Sequence, residues 1–293
     1  MVKIGVKVRA LLLAVCAATM CMRLVPAAHG QQNGIRYGDN LAAGHFLQVD
    51  DAKIYYETYG RGGTPLVLLH GGMYGYIEEF GALIDAMSKD RRVIAIATRG
   101  HGKSEIGTKT FSYALFADDA VAVIRHEGLE RVDVLGFSDG AVTSYVLSAN
   151  HPQLVRRLVA IGGPRKFTDW TPGAQAEQRK AKPEDVERDS PDFVAARKKL
   201  MPEPQRWREF IDRLNHLYVG PPFVTDAQIH SIEAPTLTMA GDHDPYNQLS
   251  AFVEIFQLLP KGELALIPGC GHVVLECKGP LTIEIVKGFF DRP

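Results

Sequence analysis

The 293 residues are 46% hydrophobic and 23% charged, with 33 basic against 34 acidic side chains. A composition this near the globular average excludes disordered, collagen-like and coiled-coil chains. The formal net charge of -1 gives no electrostatic reason for nucleic acid as a partner, and four cysteines are too few for a disulfide-stapled scaffold.

Lys3, Lys7 and Arg9 precede an apolar run from Ala10 to Met22, and small residues follow at Ala27, Ala28 and Gly30. This is the layout of a secretory signal peptide over residues 1–30. The run is shorter than the roughly 20 residues of a permanent membrane helix. Cleavage after Gly30 or Ala28 fits, and an uncleaved anchor is the alternative. A lipoprotein signal fits less well, because Val15 and Met20 are bulky before Cys16 and Cys21. Removal takes Lys3, Lys7, Arg9 and Arg23 but no acid, so the exported chain, periplasmic or secreted, would carry a net charge of -5. It would keep Cys270 and Cys277 and have no stable membrane insertion.

Residues 31–43 are small and polar and read as a flexible lead-in. His45–Val49 and Lys53–Tyr59 flank a turn and read as a β-hairpin. The apolar run Leu66–His70 ends in Gly71-Gly72 and reads as a buried strand. A helical stretch over Ile77–Ser88 and a second buried strand, Arg92–Ala97, follow. Ser112–Glu127 has helical spacing, with Tyr113, Phe116, Ala120, Val123 and Ile124 on one face. Val132–Gly136 is the third apolar strand, Ala141–Ala149 a helix and Arg157–Ile161 a fourth strand. Residues 163–233 break the pattern: they are rich in Lys, Arg, Glu and Pro, and segments 174–189 and 190–218 read as helices. They form either a solvated helical insertion or a lid over a site. Strand Pro235–Ala240, a helix near Gln248–Leu259, strand Glu263–Ile267 and a last helix ending near Phe290 complete the chain. Strands alternating with helices imply a doubly wound, mostly parallel α/β sheet, with a body of residues 44–162 and 234–293 around the 163–233 insertion.

The chemistry concentrates at three strand ends. Gly136-Phe137-Ser138-Asp139-Gly140 follows a strand and opens a helix, the context in which G-x-S-x-G marks a nucleophile. The sharp turn needs glycine neighbours, and the helix N-terminus beside Ser138 favours developing negative charge. A serine hydroxyl needs a base to take its proton. Gly269-Cys270-Gly271-His272 follows the last strand and supplies His272. Gly241-Asp242-His243-Asp244 places two carboxylates at another strand end. Leu69-His70-Gly71-Gly72-Met73 lets backbone N–H groups approach an oxyanion, with Gly72 and the Asp139 N–H as the pair. His70 reads as packing beneath that loop rather than as a catalytic group. Trp170, Trp207, Tyr218 and Phe223 either line a pocket with Met73 or pack the insertion. Gly102-Lys103-Ser104 imitates the end of a P-loop, but Ala97 stands where its first glycine is required. No metal-ligand spacing occurs and the chemistry needs no cofactor.

These motifs, with Arg99-Gly100-His101-Gly102-Lys103-Ser104, resemble the α/β-hydrolase superfamily in its order of elements from Gly44 to Phe290. The resemblance implies a serine hydrolase acting on a small ester, amide or thioester, with Asp244 as the triad acid and Asp242 as runner-up. It also implies a lid at residues 163–233. Thr98 stands where similar proteins commonly carry Asp. GFSDG is similar to biphenyl hydrolase-like enzymes of the valacyclovir hydrolase type, where an acid beside the serine is thought to hold an α-amino group. By that likeness Asp139 favours a cationic substrate; otherwise it is a solvated or helix-capping acid. Cys270 and Cys277 bracket His272, and either bridge or follow a common GCGH form with a free thiol. A carbon–carbon bond hydrolase, a cofactor-free peroxidase and a non-catalytic binding protein are the alternatives on the same fold.

Overall fold

The computed structural model of the protein describes residues 36–293; the expected signal peptide lies outside them. Eight strands form one sheet: β1 (Gly44–Val49), β2 (Ala52–Tyr59), β3 (Leu66–Leu69), β4 (Val93–Ile96), β5 (Val132–Phe137), β6 (Val155–Ile161), β7 (Thr236–Gly241) and β8 (Gly262–Ile267). Their order is β1-β2-β4-β3-β5-β6-β7-β8. The β1–β2 and β2–β4 pairs are antiparallel and the rest parallel. β3, β4 and β5 are buried along their whole length, as short unbroken apolar runs require when helices cover both faces. The chain winds outward from β3 in opposite directions to β4 and β5, so the carboxyl ends of β3 and β5 form the switch point at which sheets of this kind bind their ligands.

Two helix layers cover the sheet. On one side α1 (Gly81–Met87) and, at the end of the chain, α11 (Gly279–Phe290) bury Leu83, Ile84, Val286 and Phe289. On the other, α2 (Tyr113–His126) and α3 (Asp139–Asn150) bury Phe116, Ile124, Val142 and Tyr145. Ser112 caps α2 by accepting from the Leu115 N–H.

Between β6 and β7 the chain forms α4 (Pro172–Gln178), α5 (Pro183–Asp189), α6 (Pro191–Leu200), α7 (Trp207–Tyr218) and α8 (Asp226–His230). The two helices expected over 174–218 are thus divided. Pro183 and Pro191 each start a helix, because a proline lacks the N–H that would continue the preceding one. α7 is the most amphipathic, burying Trp207, Phe210, Ile211, Leu214 and Tyr218. The loop after β7 leads into α9 (Leu249–Leu258), and the short α10 (Val274–Cys277) precedes α11.

Residues 37–43 are tied to the body. Tyr37 is buried, and the Gly38 and Asn40 N–H groups donate to Glu57 at 2.8 Å each. A polar composition concealed these contacts because the anchor is a carboxylate on β2. No helix among the described residues is long and apolar enough to cross a membrane.

Candidate active site

Ser138 links β5 to α3 with φ 53 and ψ -116. A non-glycine residue in this region is strained by about 1–3 kcal/mol and needs surroundings that fix it. Its N–H donates to the Ile161 carbonyl at 2.7 Å. A Cβ on Gly136 would run into the Gly140 carbonyl, and one on Gly140 into the Leu69 carbonyl. The turn can therefore close only with glycine at both places.

From this turn a hydrogen-bonded chain runs across the carboxyl edge of the sheet. Ser138 Oγ lies 3.0 Å from His272 Nε2, and His272 Nδ1 lies 2.8 Å from Asp244 Oδ2. Asp244, 2% exposed in its side chain, also accepts from the Tyr246 N–H at 2.8 Å and from the Asn247 N–H and Nδ2 at 3.1 Å each. Burial alone would raise its pKa, but the bond and charge of His272, with Asn247 and the Tyr246 N–H, hold it below the ordinary carboxylate range. Asp242 is the acid of a local turn, accepting from His243 Nδ1 at 2.7 Å and the Gly269 N–H at 2.6 Å.

Cys270 and Cys277 are joined by a disulfide, with Cα atoms 5.8 Å apart. The free-thiol form is thus not the one adopted: the turn into α10 brings the two residues within bridging distance across His272.

The loop after β3 is held by side chains on successive peptide groups. The His70 Nε2 accepts from the Thr98 N–H at 2.9 Å, so Nδ1 carries the proton and donates to the Gly71 carbonyl at 2.6 Å. Burial, with neighbouring His101, pushes the His70 pKa well down and keeps the ring neutral. Glu79 accepts from the Gly71 N–H at 2.6 Å; burial raises its carboxyl to about 8 against the opposing hydrogen bond. His70 thus lies beneath the loop. Thr98 contributes its backbone. Arg99 is buried, with Asp119 at 2.5 and 2.9 Å and Asp51 at 2.6 Å, so this part of the RGHGKS motif is an anchor.

Asp139 faces Gly72. Its oxygens accept from the Tyr113 hydroxyl at 3.0 Å and the Tyr218 hydroxyl at 2.9 Å. Burial pushes its pKa up to about 6, against the two tyrosines and the His272 charge. The Tyr218 oxygen also accepts from the Met73 N–H at 3.2 Å. Trp170 packs on Tyr218 with ring centroids 5.6 Å apart, and Phe223 on Tyr113 at 5.2 Å. Trp207 is 2% exposed, with its ring tilted against Phe210 and edge-on to Phe193. It lines a small cavity with Met73, His101 and Arg197. The amphipathic pattern of α7 turns this ring inward, into the packing between insertion and body.

Tyr113, Asn247, Glu79 and Tyr246, whose ring stands edge-on to His272 at 5.2 Å, were missed by the sequence reading. Tyr113 carried only a core-facing signal. Asn247 had a usable one: an amide three residues after an acid in a turn can close back on it.

The alpha/beta hydrolase family profile matches residues 66–277. The chain belongs to this family. It is 27% identical over 244 residues to a Haemophilus influenzae protein assigned as an esterase or lipase, covering 78% of this chain and 84% of that one. It is 28% identical over 127 residues to the human serine hydrolase BPHL, covering 42% of this chain and 44% of that protein. Its fold is shared by a meta-cleavage product hydrolase of Pseudomonas fluorescens, with TM-score 0.69, 20% identity, and coverage of 86% of this chain and 99% of the other. The protein is a hydrolase of the α/β fold.

Proposed function

We propose that the protein cleaves a small carboxylic ester through an acyl-enzyme. The observation that carries this reading is the Ser138–His272–Asp244 chain, at 3.0 and 2.8 Å, on the strained turn. His272 Nε2 takes the Ser138 proton as Oγ attacks the ester carbonyl, and Asp244 fixes the Nδ1–H tautomer and stabilises the imidazolium. The Gly72 and Asp139 N–H groups hold the oxyanion. His272 then protonates the leaving alcohol, and in the second half takes a proton from water, which releases the acid.

The esterase or lipase assignment of the H. influenzae relative supports an ester over other acyl substrates. The likeness to the meta-cleavage product hydrolase carries the fold alone, so carbon–carbon cleavage stays second and is separated by assay with a vinylogous diketone. In this reading residues 163–233 cover the site as a lid, supported by Tyr218 and Trp170 beside Asp139. Residues 1–30 direct export, and the Cys270–Cys277 bridge suits an oxidising compartment.

The test is Ser138→Ala with nitrophenyl acetate and a fluorophosphonate probe. Turnover is expected to fall by at least about 10³-fold, with labelling abolished. Retained turnover in pure variant protein would end the assignment.

A further inference from the structure

Tyr218 belongs to the insertion, at the last turn of α7, yet its hydroxyl joins the two body loops that carry the proposed oxyanion donors. It donates to Asp139 Oδ2 at 2.9 Å and accepts from the Met73 N–H at 3.2 Å. We propose that Tyr218 is a positioning residue for the oxyanion pair, so that the donors reach full alignment only while the insertion is docked. This rests on the reading of Ser138 as the nucleophile and of Gly72 and Asp139 as the donors.

The Gly72 N–H shares a trans, planar peptide group with the Gly71 carbonyl, so its direction opposes that carbonyl. His70 Nδ1 holds the Gly71 carbonyl from below. The next peptide group is held at both ends: the Gly72 carbonyl accepts from the Gly75 N–H at 2.5 Å, and the Met73 N–H donates to Tyr218 at 3.2 Å. The two torsions of Gly72 lie between these planes, and glycine is the residue least able to fix them alone. A Cβ there would run into Asp139 Oδ2 and the Tyr218 oxygen and would push these side chains apart. The cluster is packed directly on the Gly72 α-carbon.

The proton count permits one arrangement. A phenol has a single proton, and a carboxylate is its stronger acceptor, so Tyr218 donates to Asp139 and its lone pair faces the Met73 N–H. Donation to the acid makes that oxygen a better acceptor in turn. The ring is 5% exposed and packed by Trp170, so the hydroxyl has little freedom to leave. Tyr113 differs in touching Asp139 without reaching Met73.

The experiment measures kcat, KM and the inhibition constant of an alkyl boronic acid, which forms a tetrahedral adduct on a serine nucleophile, for wild type, Tyr218→Phe, Tyr113→Phe and Trp170→Ala. Misplaced donors weaken the transition state more than the ground state. Tyr218→Phe is expected to lower kcat about tenfold with KM within about twofold, and to weaken the boronate by the same factor as kcat/KM. Tyr113→Phe should lose less. Trp170→Ala, which keeps the hydroxyl but frees its ring, should show the same proportional loss on a smaller scale and replaces Tyr218→Phe if that variant does not fold. A kcat loss with unchanged boronate affinity, or no change in either, would overturn the proposal. Failure of the underlying reading shows separately, as activity retained by Ser138→Ala.

Discussion

Left-handed serine, buried aspartate and a neutral histidine share one feature in this site: each is held by backbone groups as much as by side chains. Ser138 is fixed by the Ile161 carbonyl, Asp244 by the Tyr246 and Asn247 N–H groups, and His70 by the Thr98 N–H. Backbone partners leave no sequence signature, so the sequence marks Ser138, His272 and Asp244 as candidates, which the structure brings within hydrogen-bonding reach, but does not mark what holds them. Glu79 is the residue whose burial bears most directly on pH. Its carboxyl is raised to about 8 from an ordinary 4.5, so the native protein keeps a proton that the unfolded chain has lost. Stability from this group is therefore complete below about 4.5 and lost as pH rises to about 8. Glu79→Gln cannot ionise and should flatten that fall. Thermal melts at pH 5 and pH 8 check it; equal drops in Tm for variant and wild type would refute the assignment.

The elements follow from short-range patterns wherever packing and pattern agree. Every core strand from β3 to β7 is visible as an apolar run, because burial on two faces demands one. The insertion was harder. Its helices are cut by Pro183 and Pro191 and carry mixed surfaces, so spacing gave helix content but not boundaries, and Trp207 could not be placed on the inner or outer side. The His272 loop depends on a contact no pattern announces, the bridge to Cys277 at the end of α10. Closing a loop with sequence separation 7 contributes about 2–3 kcal/mol by chain entropy. Cys277→Ser is expected to lose about that much in denaturant unfolding, and to lower kcat because the proposed base, His272, is carried on the freed loop. An unfolding midpoint indifferent to both the substitution and a reductant would show that the bridge contributes nothing.

At the scale of the molecule, near-neutral composition conceals a division between the first thirty residues, which are net basic, and an acidic remainder. If residues 1–30 are an export signal, full-length chain made in a Gram-negative host should be recovered from the periplasm with a new N-terminus at residue 29 or 31. Intact chain retained in the cytosol would count against export.

The insertion is also stitched to the loop that bears Asp244. Thr171 N–H and hydroxyl donate to the Tyr246 and Pro245 carbonyls, the Gln248 N–H donates to the Asp169 carbonyl, and Trp170 forms a bridge with Asn247. A chimera that exchanges residues 163–233 alone must rebuild these stitches or disturb the loop that bears Asp244. The exchangeable module is longer than the helices suggest and runs to Gln248, carrying β7 and the Asp244 loop with it. Recombination between relatives, natural or designed, should respect that seam.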